Sequence, residues 1–212
     1  MMGAKNGDSP LPIPAEYQEV EWIGTTDADI PTTVKLPKEA LRITGCAVYT
    51  PNSADRYLLA DRDTGGVRFA VFTSGTNRFA TISGIVAKSD VFQIEEQTVN
   101  FEANISQPAQ SGTGTVSGTI SINGTANGTP FSDSNSGQIR AFGNNTIKFF
   151  KAASTSDNYI GKLKGRLKVY TNTLYYDFVP CYRIADGKIG VYEAINGSFF
   201  PGSGTFTKGA DI

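Results

Sequence analysis

The sequence predicts an all-β protein, a two-sheet antiparallel β-sandwich. Three observations carry that prediction. About twelve runs alternate apolar and polar residues with period 2, bounded by Gly, Pro, Asn and Asp turn signals. No segment shows a convincing amphipathic-helix pattern. The 212 residues include 23 glycines and 10 prolines, which fits one all-β domain better than two small ones. A chain of this length buries a sizeable core, and so many short strands pack as two sheets in jelly-roll or Greek-key order.

Residues 1–14 read as a flexible arm, because Pro10, Pro12 and Pro14 forbid regular structure there. The domain is expected to occupy 15–212. Tyr17 to Ile23 is its first strand, followed by Leu41 to Thr50. Arg56 to Asp61 and Val67 to Thr73 read as a hairpin, and Arg78 to Ser83, Thr98 to Ile105 and Thr115 to Ile122 continue the alternation. The segment Ser106 to Gly137 is rich in Gly, Ser, Thr and Asn, with turns expected at Asn123-Gly124 and Asn127-Gly128. It reads either as a solvent-facing hairpin pair or as a variable recognition loop. Gln138 to Gly143, Thr146 to Lys151, Tyr159 to Tyr170, Thr173 to Tyr182 and Lys188 to Ala194 complete the set.

The formal net charge of −1 gives no whole-molecule field toward nucleic acid or an anionic membrane. Residues 1–17 hold one lysine and no apolar stretch, so they read as neither signal peptide nor anchor, and no later run approaches membrane-spanning length. Cys46 and Cys181 are the only cysteines. Each lies in an apolar strand pattern, which suits a small buried thiol; a bridge between them is the other reading.

The chain has no histidine, which removes Ser-His-Asp and Cys-His nucleophilic catalysis and leaves no credible zinc site. Glycoside hydrolysis needs only two carboxylates. Glu19 and Glu21 share a strand face, but that face reads as solvated. Asp61-Arg62-Asp63-Thr64-Gly65-Gly66 echoes the start of a calcium loop, with Asp61 and Asp63 as the ligands and calcium the one cofactor in view. The echo ends at Gly65 and Phe72, where an EF-hand needs oxygen ligands, and a plain hairpin tip is the alternative.

Lys162, Lys164, Arg166 and Lys168 alternate with Leu163, Gly165, Leu167 and Val169, so a strand sets four cations in one row on one face. The row is either a solvated face or a stripe for an anionic partner. Trp22, Tyr159, Tyr175, Tyr176 and Tyr182 read either as core or as sugar-stacking rings. Arg62, Asn144 and Asn145, as polar loop residues, are the candidate ligand-binding side chains.

The chain ends carry a family resemblance. Phe178-Val179-Pro180-Cys181-Tyr182-Arg183, the Asp186-Gly187 turn, Gly190-Val191-Tyr192-Glu193 and Gly204-Thr205-Phe206-Thr207-Lys208-Gly209 resemble the C-terminal signature of a concanavalin A-like (LamG-like) jelly-roll domain. Leu11 to Ile23, with its Tyr-x-x-Val-Glu-aromatic-Ile pattern, is similar to that family's opening strand. Between 83 and 136 only the Ile122-Asn123-Gly124-Thr125 hairpin matches. Ile30-Pro31-Thr32-Thr33-Val34 replaces the usual Ile-Asp-Thr-Gly-Ile run, so no role of that Asp carries over. Catalytic members of the wider fold carry Glu-x-Asp-x-x-Glu, which neither the stretch around Glu19 nor Glu95-Glu96 matches.

Such domains are common on tailed-phage particles and gut-bacterial surfaces. The resemblance implies a non-catalytic, lectin-like adhesion module on a phage virion, made in the host cytoplasm and released by lysis. Its expected partners are host surface glycans and, through the N-terminal arm, other virion proteins. No heptad or collagen-like segment specifies an oligomer. The alternatives are a virion decoration or fibre module binding only virion proteins, and a secreted carbohydrate-binding module of a gut bacterium.

Overall fold

The computed structural model describes residues 10–49, 56–63, 66–74, 78–83, 97–106, 116–133, 143, 145–151 and 161–212. Every regular element among them is a strand. The first are β1 (Tyr17–Glu19), β2 (Trp22–Thr25), β3 (Ile30–Lys35), β4 (Leu41–Tyr49) and β5 (Arg56–Asp63). Then come β6 (Gly66–Ser74), β7 (Arg78–Ser83), β8 (Gln97–Ser106), β9 (Val116–Ile122) and β10 (Thr125–Asp133). The last are β11 (Thr146–Phe149), β12 (Gly161–Tyr170), β13 (Leu174–Arg183), β14 (Lys188–Glu193), β15 (Ser198–Pro201) and β16 (Thr207–Lys208).

They form two antiparallel sheets. The large one has eleven strands and runs β10-β9-β8-β4-β12-β13-β14-β15, with β1 on β13, β2 on β12 and β16 on β2; the small one has five, in the order β3-β11-β5-β6-β7. Alternation fills the space between the sheets. Ile43, Phe101, Leu163, Leu167 and Phe178 from the large sheet and Ile30, Leu58, Leu59, Ile147 and Phe149 from the small one belong to one buried cluster. Phe149 and Phe178 meet edge to face across the layers at 5.0 Å. Burying each such side chain contributes about 1.5–3 kcal/mol.

The expected strand Tyr17 to Ile23 is split into β1 and β2 because its neighbours diverge. β2 pairs with Gly161–Lys164, whereas β13 pairs with β12 from Leu167 onward and carries β1 farther along. Register with β4 passes from Lys164↔Cys46 to Lys168↔Thr44, so a bulge sits between. Gly165, at φ 61°, makes that turn and donates its N–H to the Glu21 carbonyl at 2.9 Å.

The arm is not free along its whole length. Ile13 and Tyr17 pack, with Ala194 and Phe199, over a second small core of Val179, Cys181 and Tyr192 on the outer side of β13 and β14. Residues 1–9 lie outside the described residues. Asn123-Gly124 is the expected turn, with φ of 49° and 80°, both left-handed as a type I′ hairpin requires. Asn127-Gly128 is not a turn: it falls within β10, where the register shifts between Asn127 and Phe131. β3, which the strand pattern does not include, pairs among the described residues with β11 alone and ends the small sheet, a position where proline is tolerated. The expected strand Gln138 to Gly143 lies, except for Gly143, outside the described residues.

Candidate ligand-binding face

The segment carrying Ile13 and Tyr17 divides the outer surface of the large sheet. Over β13 to β15 it is covered; over β12, β4 and β8 the outward side chains are mostly polar and, among the described residues, at least partly exposed. Arg42 stacks on Tyr170, 4.0 Å from the ring centre, and pairs with Glu102 at 3.4 Å. Glu102 also accepts from Asn104 Nδ2 at 3.0 Å.

At the β2 side of this face Glu21, Trp22, Val48, Thr98, Lys162 and Lys164 line a groove of about 310 Å³. Val48 stands between Thr98 and Lys162 in register, and Trp22 opposes Lys164. Lys162 Nζ lies 4.3 Å above the Trp22 ring centre. Two glycines make that arrangement fit: a Cβ at Gly24 would stand 3.0 Å from Lys162 Cγ, and one at Gly209 would stand 2.6 Å from the indole Nε1. The Gly209 N–H donates to the Trp22 carbonyl at 2.9 Å. Among the described residues, Lys162, Lys164 and Lys168 make no ion pair.

Arg166 departs from the expected row of four solvated cations. Its side chain is 11% exposed, and its guanidinium bonds the wholly buried Asp177 at 2.9 Å. It grips Glu19 with two bonds, Nε to Oε1 at 2.9 Å and NH2 to Oε2 at 2.6 Å, and donates to the Leu11 carbonyl at 2.8 Å. Asp177 lies opposite Lys168 in register, so Arg166 stays on the same face as the lysines and is covered there by β1 and the Leu11 segment. Glu19 is accordingly an ion-pair partner and not a solvated acid. Burial pushes the Asp177 carboxyl above its ordinary value, and Arg166 opposes that rise.

Asp61, expected in a calcium loop, lies within β5 and is fully buried. Its carboxylate accepts from the Gly143 N–H at 2.5 Å and from Asn145 Nδ2 at 3.0 Å. Asn145 is half-buried, with its Nδ2 engaged by Asp61. Arg62 and Asp63 continue β5 opposite Val67 and Gly66, with side chains outside the described residues, as is the whole of Asn144. No three potential metal-ligating side chains converge among the described residues. Of the aromatic candidates, Tyr176 is core and donates to the Lys35 carbonyl at 2.8 Å. Tyr182 packs on the core and donates to Asp211 at 3.1 Å. Tyr175 is exposed, and Tyr159 lies outside the described residues.

Val48, Thr98 and the supporting glycines carry no site signal in the sequence, and Glu21 reads there only as a solvated acid. Only their cross-strand register brings them together, and no local motif signals it. A second groove, of about 370 Å³, lies between Asp186–Ile189 and Gly202–Phe206; its acid, Asp186, is already paired with Arg183 at 2.6 Å.

No protein-family model and no curated sequence matches the chain. Among solved structures the chain is similar to a Bacteroides ovatus ATCC 8483 protein provisionally described as carbohydrate binding. The TM-score is 0.57 and identity 10%, over 92% of this chain and 62% of that one. The chain thus spans under two thirds of that protein. A heptameric SAP-like pentraxin from Limulus polyphemus aligns at TM-score 0.43 and 14% identity, over 91% of this chain and 95% of its own. The two-layer antiparallel architecture and the likeness to the Bacteroides protein make the fold an all-β, two-sheet jelly-roll sandwich.

Proposed function

We propose that the protein is a non-catalytic, lectin-like adhesion module that binds carbohydrate on the open face of its large sheet. The observation that carries this reading is the face itself: a broad polar surface on a rigid sheet, with a groove lined by hydrogen-bonding side chains. Sugar recognition needs convergent polar groups of this kind held on a stiff scaffold. The fold-level likeness to a protein provisionally described as carbohydrate binding supports the reading by analogy.

The same geometry argues against glycoside hydrolysis, which needs one free carboxylic acid and one free carboxylate across the scissile bond. Glu19 is held by Arg166, and among the described residues no second acid lines the groove with Glu21. We further propose display on a phage particle and host glycans as targets, on the strength of the motifs at both chain ends.

A shallow site of this kind binds one sugar weakly, at about millimolar affinity, so attachment depends on many copies. The test is a multivalent form of the protein applied to host cells and to glycans extracted from them, with reducing ends assayed afterwards. Binding without sugar release is expected. A preparation that ignores cells and glycans yet assembles onto particles makes the protein a virion decoration module. Genes for a polysaccharide-utilisation cluster beside this one, in place of portal or capsid genes, move it to a bacterial surface.

A further inference from the structure

We infer that the groove beside Trp22 selects an anionic saccharide, a pyranose bearing a carboxylate or a sulfate, with Lys162 and Lys164 as the residues that read its charge. The inference rests on the carbohydrate-binding reading and names the ligand class.

A neutral sugar is usually held by an open aromatic face. Here one face of Trp22 carries the Lys162 ammonium at 4.3 Å, with Gly209 packed at the ring's Nε1 edge. The indole therefore acts as a seat for a cation. Cation–π attraction fixes an otherwise mobile lysine head, and a charge already held in place loses less rotamer entropy when an anion arrives.

Lys164 is two residues on along β12, its side chain exposed on the same sheet face, about 6.5–7 Å away by strand rise. Neither lysine is spent on an ion pair among the described residues. Glu21 is the one acid lining the groove among the described residues, and it accepts weakly from the Ala210 N–H at 3.4 Å. The described lining thus carries a net positive charge, two lysines against one acid, with Thr98 and Glu21 able to bond hydroxyls. Lys168, on the same strand beyond the bulge, extends the positive character along β12.

The experiment measures retention of the full chain, in multivalent form, on immobilised polygalacturonate, dextran sulfate and neutral dextran. Wild type is expected to bind at least one of the two anionic polymers and to weaken as salt rises. Lys162→Gln with Lys164→Gln should lower that binding about tenfold or more. Lys35→Gln with Lys188→Gln, the same charge change at exposed positions outside the groove, should leave it within about twofold. Trp22→Phe, which keeps a ring but weakens the cation–π seat, should fall between.

Equal loss in both lysine pairs, or none in the groove pair, overturns the inference. Binding to neutral dextran or to a neutral host glycan alone overturns it and leaves the carbohydrate reading standing. Binding to no glycan removes both. Which anionic polymer is retained separates carboxylate from sulfate recognition.

Discussion

Arg166 bonds Glu19, Asp177 and the Leu11 carbonyl together, and so ties β1, β13 and the arm to β12. Arg166→Ala leaves Asp177 buried without its counter-charge, which typically costs about 3–5 kcal/mol; urea unfolding at pH 7 measures it. The pH dependence follows from the direction of the Asp177 shift. Its folded carboxyl lies above the ordinary value because of burial, with Arg166 pulling it back. A raised carboxyl binds its proton more tightly when folded, so its contribution to stability is greatest at low pH and is lost as pH rises through the folded value. Removing Arg166 raises Asp177 further. The deficit of Arg166→Ala is therefore expected to shrink between pH 7 and pH 4; a deficit constant over that range points to lost packing instead of a stranded charge.

At the scale of elements, two glycines in neighbouring parts of the large sheet carry different constraints. Gly165 has φ 61°, and a Cβ added there would meet nothing within 4 Å, so Gly165→Ala loses only backbone ease, about 1–2 kcal/mol. Gly190 pairs with Pro201 between β14 and β15, and a Cβ there would collide with the Phe200 carbonyl oxygen. Gly190→Ala must push β15 off the sheet edge and is expected to be the more damaging, at about 3 kcal/mol or above. Thermal melts of the two variants rank them, and the reverse order contradicts this account. The β13–β14 turn adds a titration. Arg183 bonds the Asp186 side chain and holds its carboxyl at about 2. A depressed carboxyl contributes above its unfolded value and loses that contribution as pH falls, here between about 4 and 2. Side-chain NMR of Asp186 should titrate near 2 in wild type and move back toward the ordinary value in Arg183→Gln.

For the whole molecule, the sandwich determines the fate of the two thiols. Cys46 on β4 and Cys181 on β13 belong to strands separated by β12. Two strand spacings come to about 9–10 Å, beyond the span of a disulfide. Cys181 is fully buried, with its thiol pushed up to about 12 mainly by burial. Cys46 is partly exposed; burial raises its thiol too, against the pull of Lys164. A thiol reagent at pH 8 should label Cys46 alone in the native protein and both after denaturation. Native labelling of Cys181 at the faster rate runs against this packing.

Alternation was enough to show a sandwich, because period 2 sends Leu163, Leu167 and Val169 to one side of β12 whatever lies next to them. Local chemistry likewise placed the Asn123-Gly124 turn, where two left-handed residues are needed. The function of the cationic row was not legible in the same way. Spacing put Arg166 level with Lys162, Lys164 and Lys168, but β1 and the Leu11 segment, laid over that part of the face, draw it into ion pairs with residues 147 and 11 positions away. The groove is likewise a product of register, since Val48, Thr98 and Lys162 come from three separate strands. A strand's own residues decide which face each side chain takes. Which side chains meet across strands is decided only when the sheet assembles, and the Trp22 groove exists at that level alone.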